Sequence, residues 1–215
     1  RGIAEVALLT AAEAEAVPDD ADVTRLVWDD ALTLRDLLKF EFFFPERREY
    51  EDELRGEVAI LVPDHEIEPT RAAARRLLEG PPLFVAHLVL RPFVDAYLVL
   101  ADRLAAYGDA EIAPAAEPEL LTDALHLGQQ WALQHRIASV ESVSLELLRT
   151  GLQLARHRDL LTRGDDVSGA DLARRRADFL AELGDLQRRL ERIAGLAARH
   201  QPVAPQPREV PHASR

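Results

Sequence analysis

Apolar residues recur at spacings of three and four along almost the whole chain, and no segment alternates apolar and polar residues over the length of a β-strand. Side chains three or four residues apart lie on one face of an α-helix. The C-terminal third shows the pattern most plainly, with Phe179, Leu183, Leu186, Leu190, Ile193 and Ala197. We therefore predict an all-α fold, a helical bundle of about seven helices.

Proline, glycine and capping residues predict where the helices begin and end. Pro45 should end one helix and the pair Gly80 and Pro81 another, whereas Pro92 should kink a long apolar helix because it removes a backbone hydrogen bond. Ser168, followed by Asp171, has the spacing of a helix-capping box. The predicted helices cover residues 2–16, 32–44, 46–61, 70–79, 83–107 with the kink, 119–135, 141–161 and 168–197.

The composition changes along the chain and predicts three parts. Residues 1–107 are an aromatic-rich helical part, in which Phe40, Phe42, Phe43 and Phe44 are expected to form a centre of the core. Residues 108–118, rich in alanine and proline, are expected to link this part to an amphipathic helical part, residues 118–200. The tail, residues 201–215, contains four prolines and is predicted to be disordered.

Charge and cysteine content exclude several classes of protein. The 26 basic and 38 acidic residues give a net charge of -12, so a nucleic-acid backbone would be repelled and we expect no nucleic-acid partner. Clusters of arginine, such as Arg174 to Arg176, are expected to lie on solvated helix faces in ion pairs. The absence of cysteine excludes disulfides, thiolate metal ligands and a cysteine nucleophile.

The N-terminal residues lack the pattern of a signal peptide. The most apolar stretch, residues 83–100, contains Arg91, Pro92 and Asp95, and a charge at the centre of a bilayer costs ~3 kcal/mol. We therefore predict a buried core helix here, not a membrane span. The first residue is not methionine. We therefore expect that the chain is a processed product or a part of a longer polypeptide, and we favour the second.

Short motifs of known chemistry are present only in fragments. His157-Arg158-Asp159-Leu160 copies the start of a kinase catalytic loop, but Gly164 stands where magnesium-binding asparagine belongs. Asp123 and His126 form half of a dimetal-bundle pattern and have no second copy. Arg163-Gly164-Asp165 spells a cell-adhesion tripeptide without a secretion signal. We assign no catalytic, cofactor-binding or metal-binding residue from these motifs.

Three stretches, taken in order, resemble the C-terminal domain of bacterial membrane-associated glycerol-3-phosphate 1-O-acyltransferases. They are residues 35–45 (RDLLKFEFFFP), residues 90–97 (LRPFVDAY), and residues 134–137 (QHRI) followed by 141–144 (ESVS). The resemblance covers most of residues 32–161 and rests mainly on packing residues. Arg91 and Arg136 lie in these stretches, and we expect them to form buried structural ion pairs.

The resemblance implies a role in phospholipid synthesis. Enzymes of this family transfer an acyl group from acyl-CoA or acyl carrier protein to the sn-1 hydroxyl of glycerol 3-phosphate, and no other cofactor is expected. They use a histidine with an aspartate five positions later as general base. No histidine of this sequence has that aspartate. The segment is therefore expected to be non-catalytic and to act as a scaffold for an upstream domain of the same polypeptide, peripherally at the cytoplasmic face of the membrane.

Two alternatives remain open at this point. One is a free-standing helical interaction or regulatory module. The other is a related acyltransferase that uses dihydroxyacetone phosphate as the acceptor.

Overall fold

The computed structural model describes residues 1–61, 69–79, 86–138, 140–163 and 168–199. Within these ranges the chain is all α, with no β-strand, and the predicted fold class is confirmed. The eight α-helices, about as many as predicted, are α1 Gly2–Ala12, α2 Thr24–Leu38, α3 Arg47–Leu61, α4 Arg71–Glu79, α5 Arg91–Ala106, α6 Glu117–Leu133, α7 Leu145–His157 and α8 Gly169–Arg199. Short 3₁₀ turns, Ala86–Leu90, Pro114–Ala116 and Val140–Ser142, precede α5, α6 and α7. The proline-rich tail lies outside the described residues.

Two helices form the centre of the molecule. Almost every residue of α1 is buried, since its small and aliphatic side chains allow α2, α4 and the 3₁₀ turn Ala86–Leu90 to pack around it. Helix α5 is buried from Val94 to Ala101 and packs against α6, α7 and α8. The described part of the apolar stretch around residue 91 is thus a core helix. No helix among the described residues combines the length and hydropathy needed to cross a membrane.

The kink predicted at Pro92 is wrong. Pro92 lies in the first turn of α5, directly after the 3₁₀ turn Ala86–Leu90. A first-turn residue has no intrahelical acceptor for its N–H, so proline costs nothing there and its fixed φ favours the helix. Pro92 therefore lies at the beginning of a helix, whereas the sequence pattern had predicted a kink within a longer helix over residues 83–107.

The helix predicted over residues 32–44 is also misplaced. Helix α2 begins eight residues earlier, at Thr24, where the N–H of Thr24 donates to Asp22 Oδ1 at 2.7 Å. It ends at Leu38, and residues 40–45 form a non-helical turn. Four aromatic residues within five positions cannot all lie on one helical face, whereas a turn can direct them to different neighbours.

Side-chain caps set the beginnings of α7 and α8. Ser144 Oγ accepts from the N–H of Leu147 at 3.2 Å, so α7 begins four residues after the predicted start at residue 141. The predicted serine cap of α8 is confirmed, since Ser168 Oγ accepts from the N–H of Asp171 at 3.1 Å, and its hydroxyl donates to Asp171 Oδ2 at 2.8 Å.

The apolar face of α8 packs along α5 as the sequence spacing predicts, with Phe179, Leu183, Leu186, Leu190 and Ile193 buried. Polar contacts cross between the two predicted parts of the chain. Arg189 binds Asp30 at 2.8 Å and Arg192 binds Glu13. Residues from both sides of the 108–118 segment belong to one hydrophobic core.

Candidate functional site

The three resembling stretches meet around the first half of α5. The rings of Phe93 and Phe42 lie 5.0 Å apart, and Tyr97 Oη donates to Glu41 Oε1 at 2.8 Å. On the other side, Ala138 lies between the two pieces of the third stretch, and its N–H donates to Asp95 Oδ2 at 2.8 Å. Segments far apart in sequence thus share one set of packing and hydrogen-bond contacts.

Asp95 is a fully buried carboxylate at the centre of this set. Besides Ala138, it accepts from Gln187 Nε2 of α8 at 3.2 Å, and Arg91 Nε lies 3.6 Å away. Burial raises the pKa of Asp95, against the hydrogen bonds and the nearby arginine, which lower it. The three partners come from three different segments, so the carboxylate ties them together.

The two arginines of the resembling stretches differ in environment. Arg91 is largely buried and binds Glu191 Oε1 at 2.9 Å, as expected for a structural ion pair. The expectation of a buried ion pair is wrong for Arg136, which is exposed and places its guanidinium 3.8 Å from the centre of the Trp131 ring. The left-handed backbone of His135, which ends α6, directs the chain to this position.

Residues 40–45, which we call the aromatic turn, bring four phenylalanines together at the surface. Phe42 and Phe44 pack edge to face at 6.2 Å, and Arg35 holds the turn by donating to the carbonyl of Pro45 at 2.9 Å. Phe43 is 98% exposed, so the prediction that all four phenylalanines form the core is wrong for this one. The sequence gives no signal for its exposure, because a run of phenylalanines predicts burial at every position.

A groove of about 370 Å³ lies beside the aromatic turn. Its walls are the turn, the first residues of α1, one face of α3 and the 3₁₀ turn Ala86–Leu90. Tyr50 Oη and Glu57 Oε2 are buried in this region without a hydrogen-bond partner among the described residues. Burial raises the pKa of Tyr50 to about 12, so the phenol stays protonated and can donate a hydrogen bond at neutral pH.

One end of the groove is fixed by close backbone packing. A Cβ on Gly2 would lie 2.7 Å from the carbonyl oxygen of Ala86, so only glycine allows α1 to start against the 3₁₀ turn. Behind it, Glu5 Oε2 accepts from both the N–H and Nδ1 of His87, at 2.9 and 3.0 Å. Both residues are almost completely buried, and this histidine is therefore a structural one.

The other motifs singled out in the sequence have structural explanations or lie apart from the groove. Asp159 of the kinase-like tetrapeptide has φ 53° and ends α7 in a Schellman motif, with the N–H of Leu160 bonded to the carbonyl of Ala155 at 2.9 Å. Asp123 and His126 are exposed on α6. Gly164 and Asp165 of the adhesion tripeptide lie outside the described residues.

A second, shallower groove of about 330 Å³ is lined by α8 and the end of α7. Two of its four charged groups pair with each other, since Arg158 binds Glu182 and covers the ring of Phe179 at 5.2 Å. The other two are Arg175 and Asp178 on α8.

Residues 1–164 match the family model of the glycerol-3-phosphate acyltransferase C-terminal region. The chain belongs to this family. The match contains all three resembling stretches, the aromatic turn and the groove, and the resemblance inferred from them is confirmed.

Mycobacterial relatives support the same assignment. Proteins named as acyltransferase plsB1 from Mycobacterium bovis and from two strains of Mycobacterium tuberculosis are 46% identical over 201 residues. This is 93% of the present chain but only 31% of each relative, whose C-terminal part is matched. No solved structure matches the chain significantly.

Proposed function

We propose that this chain is the helical C-terminal region of a glycerol-3-phosphate acyltransferase and that it supports an upstream domain which performs the reaction. The observation that carries the proposal is the convergence of the three family-like stretches on α5. Their residues, together with Ala138, form ring contacts, a hydrogen-bond network around the buried carboxylate of Asp95 and a partly buried tyrosine–glutamate hydrogen bond. Such contacts fix a scaffold, and none of them places a general base beside an open cleft.

The positions of the histidines support the proposal that the upstream domain performs the reaction. A general base for the acceptor hydroxyl must lie within hydrogen-bond reach of the substrate. Among the described histidines, His87 is buried and bonded to Glu5, and His157 contacts Lys39 Nζ at 3.1 Å. His126 on α6 and His135 after α6 are exposed. None of these four histidines is followed by an aspartate five positions later. These positions support our proposal that the base belongs to the upstream domain.

The whole enzyme would transfer the acyl group of acyl-CoA or acyl carrier protein to the sn-1 hydroxyl of glycerol 3-phosphate, without a resident cofactor. Its place would be the cytoplasmic face of the membrane, as a peripheral protein. The greater length of the mycobacterial relatives supports a longer polypeptide over a free-standing interaction module.

The test compares the full-length protein with residues 1–215 alone, using radiolabelled acyl-CoA and glycerol 3-phosphate. We expect lysophosphatidate only from the full-length protein. A full-length variant with alanine in place of the histidine of its upstream His-x-x-x-x-Asp motif serves as the inactive control. Turnover by residues 1–215 alone would refute the scaffold role, and a full-length enzyme that accepts dihydroxyacetone phosphate instead would reassign the acceptor.

A further inference from the structure

We propose that the groove beside the aromatic turn is the docking surface for the upstream domain, with Phe43 inserted into that domain as an anchor. This inference rests on the proposed function, because it names the surface through which the scaffold would act.

Several large apolar side chains in and beside the groove are exposed to solvent. Phe43 of the turn is 98% exposed and Val89 of the 3₁₀ turn is 58% exposed, and both residues line the groove. Ile60, one turn of α3 after the groove residue Glu57, is 63% exposed. An exposed aromatic residue flanked by aliphatic ones is typical of a protein contact surface, where large rings act as anchors.

The position of Arg1 argues for the upstream domain as the occupant. Arg1 lines the groove, and the close contact of Gly2 with the carbonyl of Ala86 fixes the backbone there. In the longer relatives, further residues precede the matched C-terminal part. A domain joined through Arg1 starts at the groove wall, so its effective concentration there is high and docking needs little intrinsic affinity.

The charged side chains of the groove favour a polypeptide over an acyl chain. Glu53 and Glu57 line the wall on α3, and Arg1 lines the wall at the start of α1. A hydrocarbon chain would desolvate these groups without pairing them, whereas side chains of a protein segment can pair with them. Because the two glutamates make the α3 wall acidic, the segment that faces it is expected to carry arginine or lysine.

The same charge disfavours a membrane surface. Anionic lipid headgroups attract clusters of lysine and arginine, and the groove wall on α3 instead carries glutamates. The net charge of -12 adds to this repulsion. A lipid contact is therefore an alternative outcome of the test, not the proposal.

The experiment places a photoactivatable phenylalanine analogue at Phe43 of the full-length protein, with the same replacement at Leu133 as the matched control. Leu133 is 83% exposed at the end of α6, away from the groove residues. Irradiation should join position 43, and not position 133, to residues upstream of Arg1 in the same polypeptide, as identified by mass spectrometry. Crosslinks from position 43 only to lipid, to a second copy, to residues 1–215, or to nothing would overturn the proposal.

A second measurement gives the degree to which docking protects position 43 from solvent, and it does not depend on enzymatic activity. Phe43→Cys and Leu133→Cys are made in the full-length protein, and alkylation of each new thiol is followed by peptide mass spectrometry in buffer and in urea. We expect Cys at 43 to react at least ~10-fold more slowly in buffer than in urea, and Cys at 133 to show no such protection. Equal protection at both positions would contradict docking.

The two proposals can fail separately. Acyl transfer by the full-length protein without protection or upstream crosslinks at position 43 would remove the docking surface and leave the enzymatic role. Protection and upstream crosslinks without acyl transfer would keep the docking surface and remove the enzymatic role.

Discussion

Arg176 is fully buried in α8, although it belongs to a run of three arginines that the sequence predicted to be solvated. Its guanidinium donates to the carbonyls of Gly108 and Ala110, after α5, at 2.9 Å each. It also donates to the carbonyls of Leu160 and Leu161, after α7, at 2.8 and 3.3 Å. Buried backbone carbonyls outside regular helices need a donor from elsewhere, so one arginine joins the segments that follow two helices to a third helix.

Replacing this arginine should be costly. Arg176→Met keeps much of the side-chain length but leaves buried carbonyls without donors, so we expect the free energy of unfolding to fall by ~3 kcal/mol. Urea denaturation followed by circular dichroism measures the change. The matched control is Arg174→Met in the same run, because Arg174 is exposed and its ion pair with Asp171 lies at the surface, and this replacement should cost no more than ~0.5 kcal/mol. Equal effects of the two variants would contradict the role of Arg176.

At the scale of elements, the close packing of α7 on α5 depends on one missing side chain. A Cβ on Gly151 would lie 2.9 Å from Cδ1 of Tyr97 and 3.1 Å from Cδ2 of Leu100. Tyr97 is held by its hydrogen bond to Glu41, so its ring cannot move freely. The glycine thus sets the distance between the two helices around which the family-like stretches assemble.

Gly151→Ala should therefore lower the free energy of unfolding by ~1–3 kcal/mol, through overpacking that outweighs the gain in helix propensity. Gly56→Ala in α3 is the matched control, because a Cβ there meets nothing within 4 Å. It should raise the free energy of unfolding by ~0.5–1 kcal/mol. Thermal or urea unfolding checks both, and stabilisation by Gly151→Ala would show that α7 can move away from α5.

At the scale of the whole molecule, the described helices share one core across the segment 108–118. Helix α8, from the second part, packs against α5 and α1 of the first, and the pairs Arg91–Glu191 and Arg189–Asp30 cross between the parts. A division of the chain at this segment would expose the faces that α5 and α8 bury against each other. We therefore expect the two predicted parts to unfold together.

The two tryptophans allow this to be tested, since Trp28 lies in α2 and Trp131 in α6. Trp131→Phe leaves a fluorescent probe in the first part, and Trp28→Phe leaves one in the second. In each variant the fluorescence and far-ultraviolet transitions in urea should coincide within ~0.2 M, as cooperative unfolding requires. Separate transitions within one variant would show two independently folding parts on either side of segment 108–118.

Local patterns in the sequence were enough to determine the helical class, the buried faces and several caps. The positions Tyr50, Leu54 and Val58 share the buried face of α3, and Ser168 caps α8, as their spacings predicted. The family resemblance was equally accessible, because ordered packing residues form a pattern along the chain. These properties depend on residues a few positions apart, and helical geometry alone relates them.

Only the tertiary structure decided which residues of the same type differ in role. Phe42 packs on Phe93 while Phe43 faces outward, Pro92 begins a helix, and Arg176 is buried beside the exposed Arg174. The groove lies between α1, α3 and the aromatic turn, and atoms of Tyr50 and Glu57 there have no hydrogen-bond partner among the described residues. No spacing within the sequence predicts that these three elements come together. Burial at each of these positions depends on neighbours tens of residues away, which come together only when the helices pack.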